Sequence, residues 1–570
     1  MDFTDAYPIA KAAPHSAYQY SPGSTFLATI EHVSQDRLDV SVLGQYASSS
    51  SDGSMIGPSR LTSSSSQARN KNNSKTFDSL STILQIRVST TLQIVRAWTI
   101  PFAVQCIRWS PDGSMIMLLG KNRIRIMAVD PRTAVKFHTS GDQTIDGSMG
   151  PDAIFNVEAG AEGLIGGQWI NNATISCFTS DHLQAMLYDI ESGSVAVIKN
   201  TKSNKAFISP SHSYIAFLTK QDGNDFVTIL KSCKKVLDED SSEWCVIQEF
   251  SAKTSDSCGI FWSPDERYLA VWEGILEYKI QFFSLFGHLQ ATYAIEADLP
   301  TTMLPSTLPT NAGSLMSHSA AGLGVRELGW SPKGNFIVAG DYYGRIRLIE
   351  TREWSECTSF DLSCLASSRV QTDSALGWKE PSEWESDVSN RTIKSFEPFV
   401  LPAVLPSTQG ELHKLNPKVG ISCLEFNDSG DMLAVRSDDL PNTLFIFAIP
   451  SSSFDGLPSL LSVINLSYTI SQTLWRPSKS EHDDLELRID ELSFMSQTNA
   501  IYTWRRTRTR AEDLQIVEAI PIPIDAFVAK QASFSPDGRT MIITSDNNTF
   551  CCAMDAMQPN SHSEYSQSHL

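Results

Sequence analysis

The sequence predicts an all-β chain assembled from repeated antiparallel sheets, and three observations carry that expectation. First, one short pattern recurs: an aromatic residue, a polar Ser-Pro-Asp-Gly-like turn, then a run of β-branched or aliphatic residues. It stands as Tyr20-Ser21-Pro22-Gly23, Trp109-Ser110-Pro111-Asp112-Gly113, Trp262-Ser263-Pro264-Asp265, Trp330-Ser331-Pro332-Lys333-Gly334 and Phe534-Ser535-Pro536-Asp537-Gly538. Weaker copies are Trp169-Ile170-Asn171-Asn172, Phe207-Ile208-Ser209-Pro210, Phe426-Asn427-Asp428-Ser429-Gly430 and Trp475-Arg476-Pro477-Ser478. Second, the runs after the turns have strand periodicity: in Arg345-Ile346-Arg347-Leu348, apolar and charged residues alternate as on a half-buried strand. Third, only 19% of residues are charged while 41% are hydrophobic, which fits a β-rich chain with many turns and a substantial core.

Each element of the pattern has a physical role. Proline presets φ at the second turn position, Ser or Asp bonds back to the backbone, and Gly accepts the positive φ that ends the turn. Strands are therefore expected on both sides. After Trp330 the chain gives a strand at 336–340, a tight turn at Asp341-Tyr342-Tyr343-Gly344 and a strand at 345–350. Similar pairs follow Trp109, at 115–119 and 124–129, and Phe426, at 432–435 and 443–449. Three or four short antiparallel strands per repeat are one blade of a β-propeller. Nine copies exceed the usual range of about four to eight blades, so the pattern is compatible with one ring or with two propellers sharing the chain. The last blade lacks a closing strand of its own. Residues 3–9, or the first hairpin, are expected to complete the blade that contains Cys551.

Composition divides the chain further. Blades are expected over 1–356 and 418–556, with a Ser-rich disordered insert at 36–82, a long loop insertion at 357–417 and a disordered tail at 557–570. The first insert holds Ser48 to Ser51 and Ser63 to Ser66 with almost no large apolar residue, too little to offset the entropy of ordering.

Charge and motif content narrow the function. The formal net charge is −19, from 45 basic and 64 acidic residues, which speaks against a nucleic-acid partner. The chain opens without a signal-like segment and holds no long apolar span, so a soluble intracellular protein with no membrane association is expected. Ten cysteines without a C-x-x-C pair read as reduced, packed thiols and give no metal site. The usual phosphate-loop, zinc-protease and nucleophile-elbow patterns are missing, so the expectation is no enzyme and no cofactor.

Six residues stand out as partner-binding candidates. Trp378 and Trp384 lie in a segment with no blade pattern, where they either anchor a partner or tuck the insertion onto its own propeller. Arg505, Arg506, Arg508 and Arg510 form the one local exception to the acidic balance. They either grip phosphate or an acidic partner segment, or point to solvent and pair with Glu512 and Asp513.

The recurring turns resemble those of WD-repeat β-propellers, with degenerate copies: Tyr188-Asp189 and Val129-Asp130 stand where Trp-Asp is typical. A narrower resemblance is carried by Trp262 to Trp272 running on to Leu276-Glu277-Tyr278-Lys279-Ile280. Further pieces are Asp341-Tyr342-Tyr343-Gly344-Arg345-Ile346-Arg347, Asn416-Pro417-Lys418-Val419-Gly420-Ile421 and Asp439-Leu440-Pro441-Asn442. These strings resemble the WD-repeat-containing protein eight family of centrosomal and spindle-pole proteins. The resemblance implies a cytoplasmic, cytoskeletal adaptor at the spindle pole body or microtubule-organising centre. Its implied partners are a coiled-coil spindle-anchoring protein and a minus-end-directed kinesin, with which it would hold microtubule minus ends. A general WD-repeat scaffold in traffic or degradation, or a propeller enzyme with a site in its funnel, are the alternative readings.

Overall fold

The computed structural model describes residues 1–10, 16–34, 80–130, 132–133, 152–158, 163–234, 242–295, 324–365, 375–381, 394–399, 401, 403–408, 418–451, 456–477, 488–508 and 513–554. The cores of the expected Ser-rich insert and the tail lie outside these residues. Nine sheets follow one another along the chain, at 18–100, 106–158, 164–199, 207–251, 257–294, 325–361, 421–465, 472–521 and 529–554, numbered below as blades one to nine. Each is built on an antiparallel meander, and at most junctions its first strand lies against the first strand of the next blade. Blades three and four join through the Phe178–Phe217 ring pair, centroids 6.2 Å apart, and through the Trp244 indole donating to Thr174 Oγ1 at 3.2 Å. Blade nine meets blade one where the Asp537 amide donates to Ser24 Oγ at 2.9 Å and Phe550 and Cys552 share a core with Tyr20 and Ile86. The sheets thus form one ring of nine blades, and of the two arrangements open to the sequence the chain takes the single ring.

The recurring turn is built by its serine. In blade two the Ser110 hydroxyl donates to Asp112 Oδ1 at 2.6 Å and accepts the Met115 amide at 2.9 Å, while the Gly113 amide donates to the Ser110 carbonyl at 2.9 Å. Ser263 and Ser535 repeat the arrangement with Asp265 and Asp537. The residue that closes the turn has positive φ, +72° at Gly113 and +66° at Gly538. Where glycine is missing, Glu266 and His212 are held at +60° and +59°, a conformation that costs a side-chain-bearing residue about 1 kcal/mol or more.

The aromatic residue before the turn joins blade to blade. The indole N–H of Trp109 donates to the Gln19 carbonyl at 3.0 Å, that of Trp169 to Arg108 at 2.9 Å, that of Trp262 to Phe207 at 2.9 Å and that of Trp475 to Glu425 at 2.9 Å. Every acceptor lies in the first strand of the preceding blade. Blade four, without a tryptophan there, uses the His212 ring, whose Nδ1 lies 2.7 Å from the Ile170 carbonyl. Trp330 is the exception and bonds the Gly334 carbonyl of its own turn at 3.2 Å.

Closure follows the expected plan. Two short strands, Asp2–Phe3 and Tyr7–Pro8, pair antiparallel with Thr549–Met554 of blade nine, in the register Phe3↔Ala553 and Tyr7↔Phe550. Thr4 and Cys552 exchange bonds at 2.9 Å, and the Ala10 amide then reaches the Ile30 carbonyl of blade one at 2.7 Å. The buried Arg87 guanidinium lies 4.9 Å from the Tyr7 ring and 5.7 Å from that of Phe550, which pins this strap against blade one.

Within 357–417 the chain first finishes the outer strand of blade six, Ser355–Asp361. Strand Leu376–Lys379 then adds in parallel to the outer strand of blade seven and pairs with Glu397–Phe399, and Lys394–Ser395 adds to the outer strand of blade eight. Three short strands of the insertion thus extend the propeller, because the outer edges of blades seven and eight offer them unpaired backbone groups.

Two outcomes are expected. Deleting residues 1–11 strips the outer pairing from blade nine and exposes Phe550, and since each buried large side chain contributes about 1.5–3 kcal/mol, the thermal midpoint falls sharply; an unchanged melt contradicts this closure. Trp262→Phe removes the indole bond to the Phe207 carbonyl between blades and lowers stability by about 0.5–1.5 kcal/mol in urea titration, whereas Trp330→Phe costs less.

Candidate protein-interaction face

Alternation of strand direction sorts the connections onto two ends of the ring. The Ser-Pro turns and the connections between third and fourth strands share one end. The turns between second and third strands, with the blade-to-blade connections, share the other. On this second face, at blades five to seven, five separate stretches converge: 274–279, 324–327, 341–345, 418–421 and 437–442.

Backbone contact holds them together. The Gly324 amide donates to the Ile275 carbonyl at 2.7 Å, which ties the turn of blade five to the start of blade six. Gly420, at φ +75°, packs so closely on blade six that a Cβ there would lie 2.4 Å from the Asp341 carbonyl oxygen and from Tyr342 Cα. Its amide donates to Asp439 Oδ2 at 2.8 Å. Arg326 Nη1 donates to the Val419 carbonyl at 2.5 Å and Nη2 pairs with Asp438 Oδ2 at 2.7 Å, while the guanidinium lies 5.9 Å from the Tyr342 ring. Burial pushes the Asp341 and Asp439 carboxyls upward from the usual range, and backbone N–H groups and neighbouring arginines counter the effect. Tyr278 is buried beneath, its ring 5.1 Å from the Arg347 guanidinium, and burial drives its hydroxyl well above the ordinary tyrosine value.

On top of this frame sit exposed apolar groups. Leu276 is 85% exposed and Tyr343 is 38% exposed, at the tips of adjacent turns, with Glu277 and Lys418 exposed beside them. Tyr468 is 63% exposed at the next connection, where the Ile470 amide bonds the Pro441 carbonyl. Tyrosine and leucine on a braced backbone give contact area at small ordering cost, the property a docking surface needs.

The six candidates from the sequence lie elsewhere. Trp378 faces its own propeller: it is partly buried against Phe396, Ile464, Tyr502 and Trp504. Next to it the buried Glu380 accepts the Tyr502 hydroxyl at 2.9 Å and the Ser467 amide at 2.7 Å. Arg506 makes a two-bond pair with Asp513 at 2.8 and 2.5 Å, and this guanidinium holds the Asp513 carboxyl below its usual range. Arg508 bridges blades seven and eight through Asp431 at 2.8 Å and Asp490 at 2.9 Å. Arg505 lies 3.5 Å from Glu491. Trp384 and Arg510 lie outside the described residues. No signal in the sequence marks Leu276 as exposed, since an apolar residue in a strand-rich string reads as core. Arg326 also escapes notice, because its partners Val419 and Asp438 stand 93 and 112 residues away.

Among the described residues no group of three or more His, Cys, Asp or Glu side chains is placed to hold a metal ion, and all ten cysteines are free thiols.

No family model matches the chain. It is 25% identical over 382 residues to the WD repeat-containing protein WRAP73 of Mus musculus, across 64% of this chain and 72% of that protein. It is 20% identical over 311 residues to an uncharacterized WD repeat-containing protein of Schizosaccharomyces pombe, across 54% of each. Among solved structures, Chaetomium thermophilum Sqt1 aligns with a TM-score of 0.43 at 9% identity, over 97% of this chain and 99% of that one. The C-terminal WD40 domain of Sif2 aligns at 0.42 and 8% identity, over 97% and 98%.

Gly420→Ala tests the frame. The added methyl has no room against Asp341 and Tyr342, and a left-handed backbone adds strain, so a loss of about 2 kcal/mol or more is expected in urea titration. A variant as stable as the parent contradicts the described packing.

Proposed function

We propose that this WD-repeat propeller is a non-enzymatic adaptor that docks partner proteins on the face formed by blades five to seven. The observation that carries the reading is the placement of Leu276 and Tyr343, exposed on adjacent turns of a frame in which the backbones of three blades are locked together. A rigid ring presents such groups without a large conformational penalty on binding.

The finer reading is that the protein works in the cytoplasm at the spindle pole body or microtubule-organising centre. There it would hold microtubule minus ends together with a coiled-coil anchoring protein and a minus-end-directed kinesin. Its support is the likeness of four strings, at 276–280, 341–347, 416–421 and 439–442, to the WD-repeat-containing protein eight family, and the described parts of those strings meet on the proposed docking face.

A tagged chain followed through mitosis is expected to concentrate at the spindle poles and to co-purify with microtubule-associated proteins. The double variant Leu276→Asp, Tyr343→Asp is expected to keep its melting temperature and lose that partner set, because hot-spot side chains each contribute about 2 kcal/mol or more to binding. Diffuse signal in mitosis removes the spindle assignment. Unchanged co-purification by the double variant removes the docking face.

A further inference from the structure

An open sheet edge is a row of N–H and C=O groups ready to pair with another strand, so folded proteins break it or cover it. This ring does both. In blades one, two, four, five, six and seven the outermost strand of the meander carries an extra residue that breaks its register, at Val95, Ile154, Ile247, Gln290, Cys357 and Leu461. Such bulges bend the strand and disrupt pairing. Asp513–Pro521 of blade eight runs in unbroken register and is covered by Lys394–Ser395. Thr549–Met554 of blade nine is also unbroken and is covered by the terminal strap. Both additions are antiparallel. Blade three has neither device among the described residues. Its outer strand, Val195–Lys199, pairs in unbroken register with Gln184–Asp189 on one side and with no strand on the other.

The Asp189 amide donates to the Ser194 carbonyl at 2.9 Å, which sets the phase of this ladder. Alternate residues of an antiparallel strand bond to the same side, so Ala196 and Ile198 bond inward, and the N–H and C=O groups of Val195, Val197 and Lys199 point outward. The side chains of these three share one face, where Val195 is 48% and Val197 46% exposed and Lys199 is exposed at the end. We propose that this edge takes an extended segment of a partner protein as a further antiparallel strand, reading acidic–x–apolar–x–apolar. Antiparallel addition is what the unbroken edges of blades eight and nine receive. It sets the leading carboxylate opposite Lys199, and the two apolar residues opposite Val197 and then Val195, whose exposed faces they cover. Main-chain bonds supply the affinity and alternate side chains the selectivity. A second copy of this chain is the poorer occupant, because a five-residue edge on each side buries far less than the about 1,200 Å² of a stable interface. The edge is on the rim of blade three, away from Leu276 and Tyr343. Its failure therefore leaves the blade five to seven docking face standing, and the two are tested by different variants.

The test is fluorescence anisotropy of the full chain with a labelled peptide reading Glu-Thr-Val-Thr-Val between Gly-Ser ends, beside one with Lys in place of Glu and one with Pro in place of the first Val. The glutamate peptide is expected to bind best. The proline peptide, short of one N–H, is expected to bind about tenfold more weakly, and the lysine peptide about threefold more weakly. Lys199→Glu is expected to reverse the preference between the glutamate and lysine peptides. Val197→Pro, which removes an N–H that the fold itself does not use, is expected to weaken the glutamate peptide about tenfold. Should that variant melt early, Lys199→Glu decides alone, since its side chain is in solvent. Amide hydrogen exchange at Val195, Val197 and Lys199 is expected to be fast in the free chain and slow with the glutamate peptide bound. Equal binding of the proline peptide, an unreversed preference in Lys199→Glu or unchanged affinity in a folded Val197→Pro each overturns the proposal. So does slow exchange at these amides in the free chain, the mark of an edge already covered by its own chain or by a second copy.

Discussion

At five of the nine blade junctions the ring is held by one ring N–H donor at or just before the recurring turn. An indole N–H reaching a carbonyl of the preceding first strand adds a hydrogen bond between two sheets, worth about 0.5–1.5 kcal/mol. The same side chain buries its rings in the gap between blades, so a single residue both fills the wedge and fixes its depth. Trp109, Trp169, Trp262 and Trp475 do this, and His212 substitutes where tryptophan is missing. Behind Trp109 and Trp262 a serine locks the turn that holds the donor in place, and behind Trp169 the Asn171 side chain does so.

Such bonds join nearest neighbours only, and that explains how a ring of nine arises. No link between one blade and the next encodes a total, just as solenoid repeats set no length of their own. The number of blades is decided where the ends meet, at the strap pairing Phe3 with Ala553 and Tyr7 with Phe550. The interfaces also differ in chemistry. Between blades seven and eight, Arg508 bridges Asp431 and Asp490, and the Glu380 side chain of the insertion reaches Tyr502, whereas blades five and six meet through rings around Trp354, stacked on Phe282 and edge-on to Tyr268.

Much of the fold was legible because its signals are local. Turn residues at fixed offsets, the aromatic before them and the alternation in Arg345 to Leu348 all act within a few positions, and even the strap could be anticipated from a last blade with too few strands. The site was less legible because its determinants act over long separations. The Arg326–Val419 and Gly420–Asp341 contacts join distant parts of the chain, and the parallel addition of Leu376–Lys379 to blade seven depends on a free sheet edge that no local pattern announces. The arginine run illustrates both sides. On alternate faces of the strand, Arg506 pairs with Asp513 and Arg508 reaches Asp431 of blade seven, while Arg505 faces Glu491, so residues adjacent in sequence have different partners.

The strap has a consequence for biosynthesis. Its partner strand, Thr549–Met554, leaves the ribosome more than five hundred residues after Tyr7 does, so the early segment must wait through most of translation without its mate. Blades can form one after another as they emerge, but the ring stays open and its terminal sheet edges unprotected until the end. A nascent chain of this design is therefore a natural client for chaperones, and truncated products would carry an exposed edge ready to pair with a second molecule.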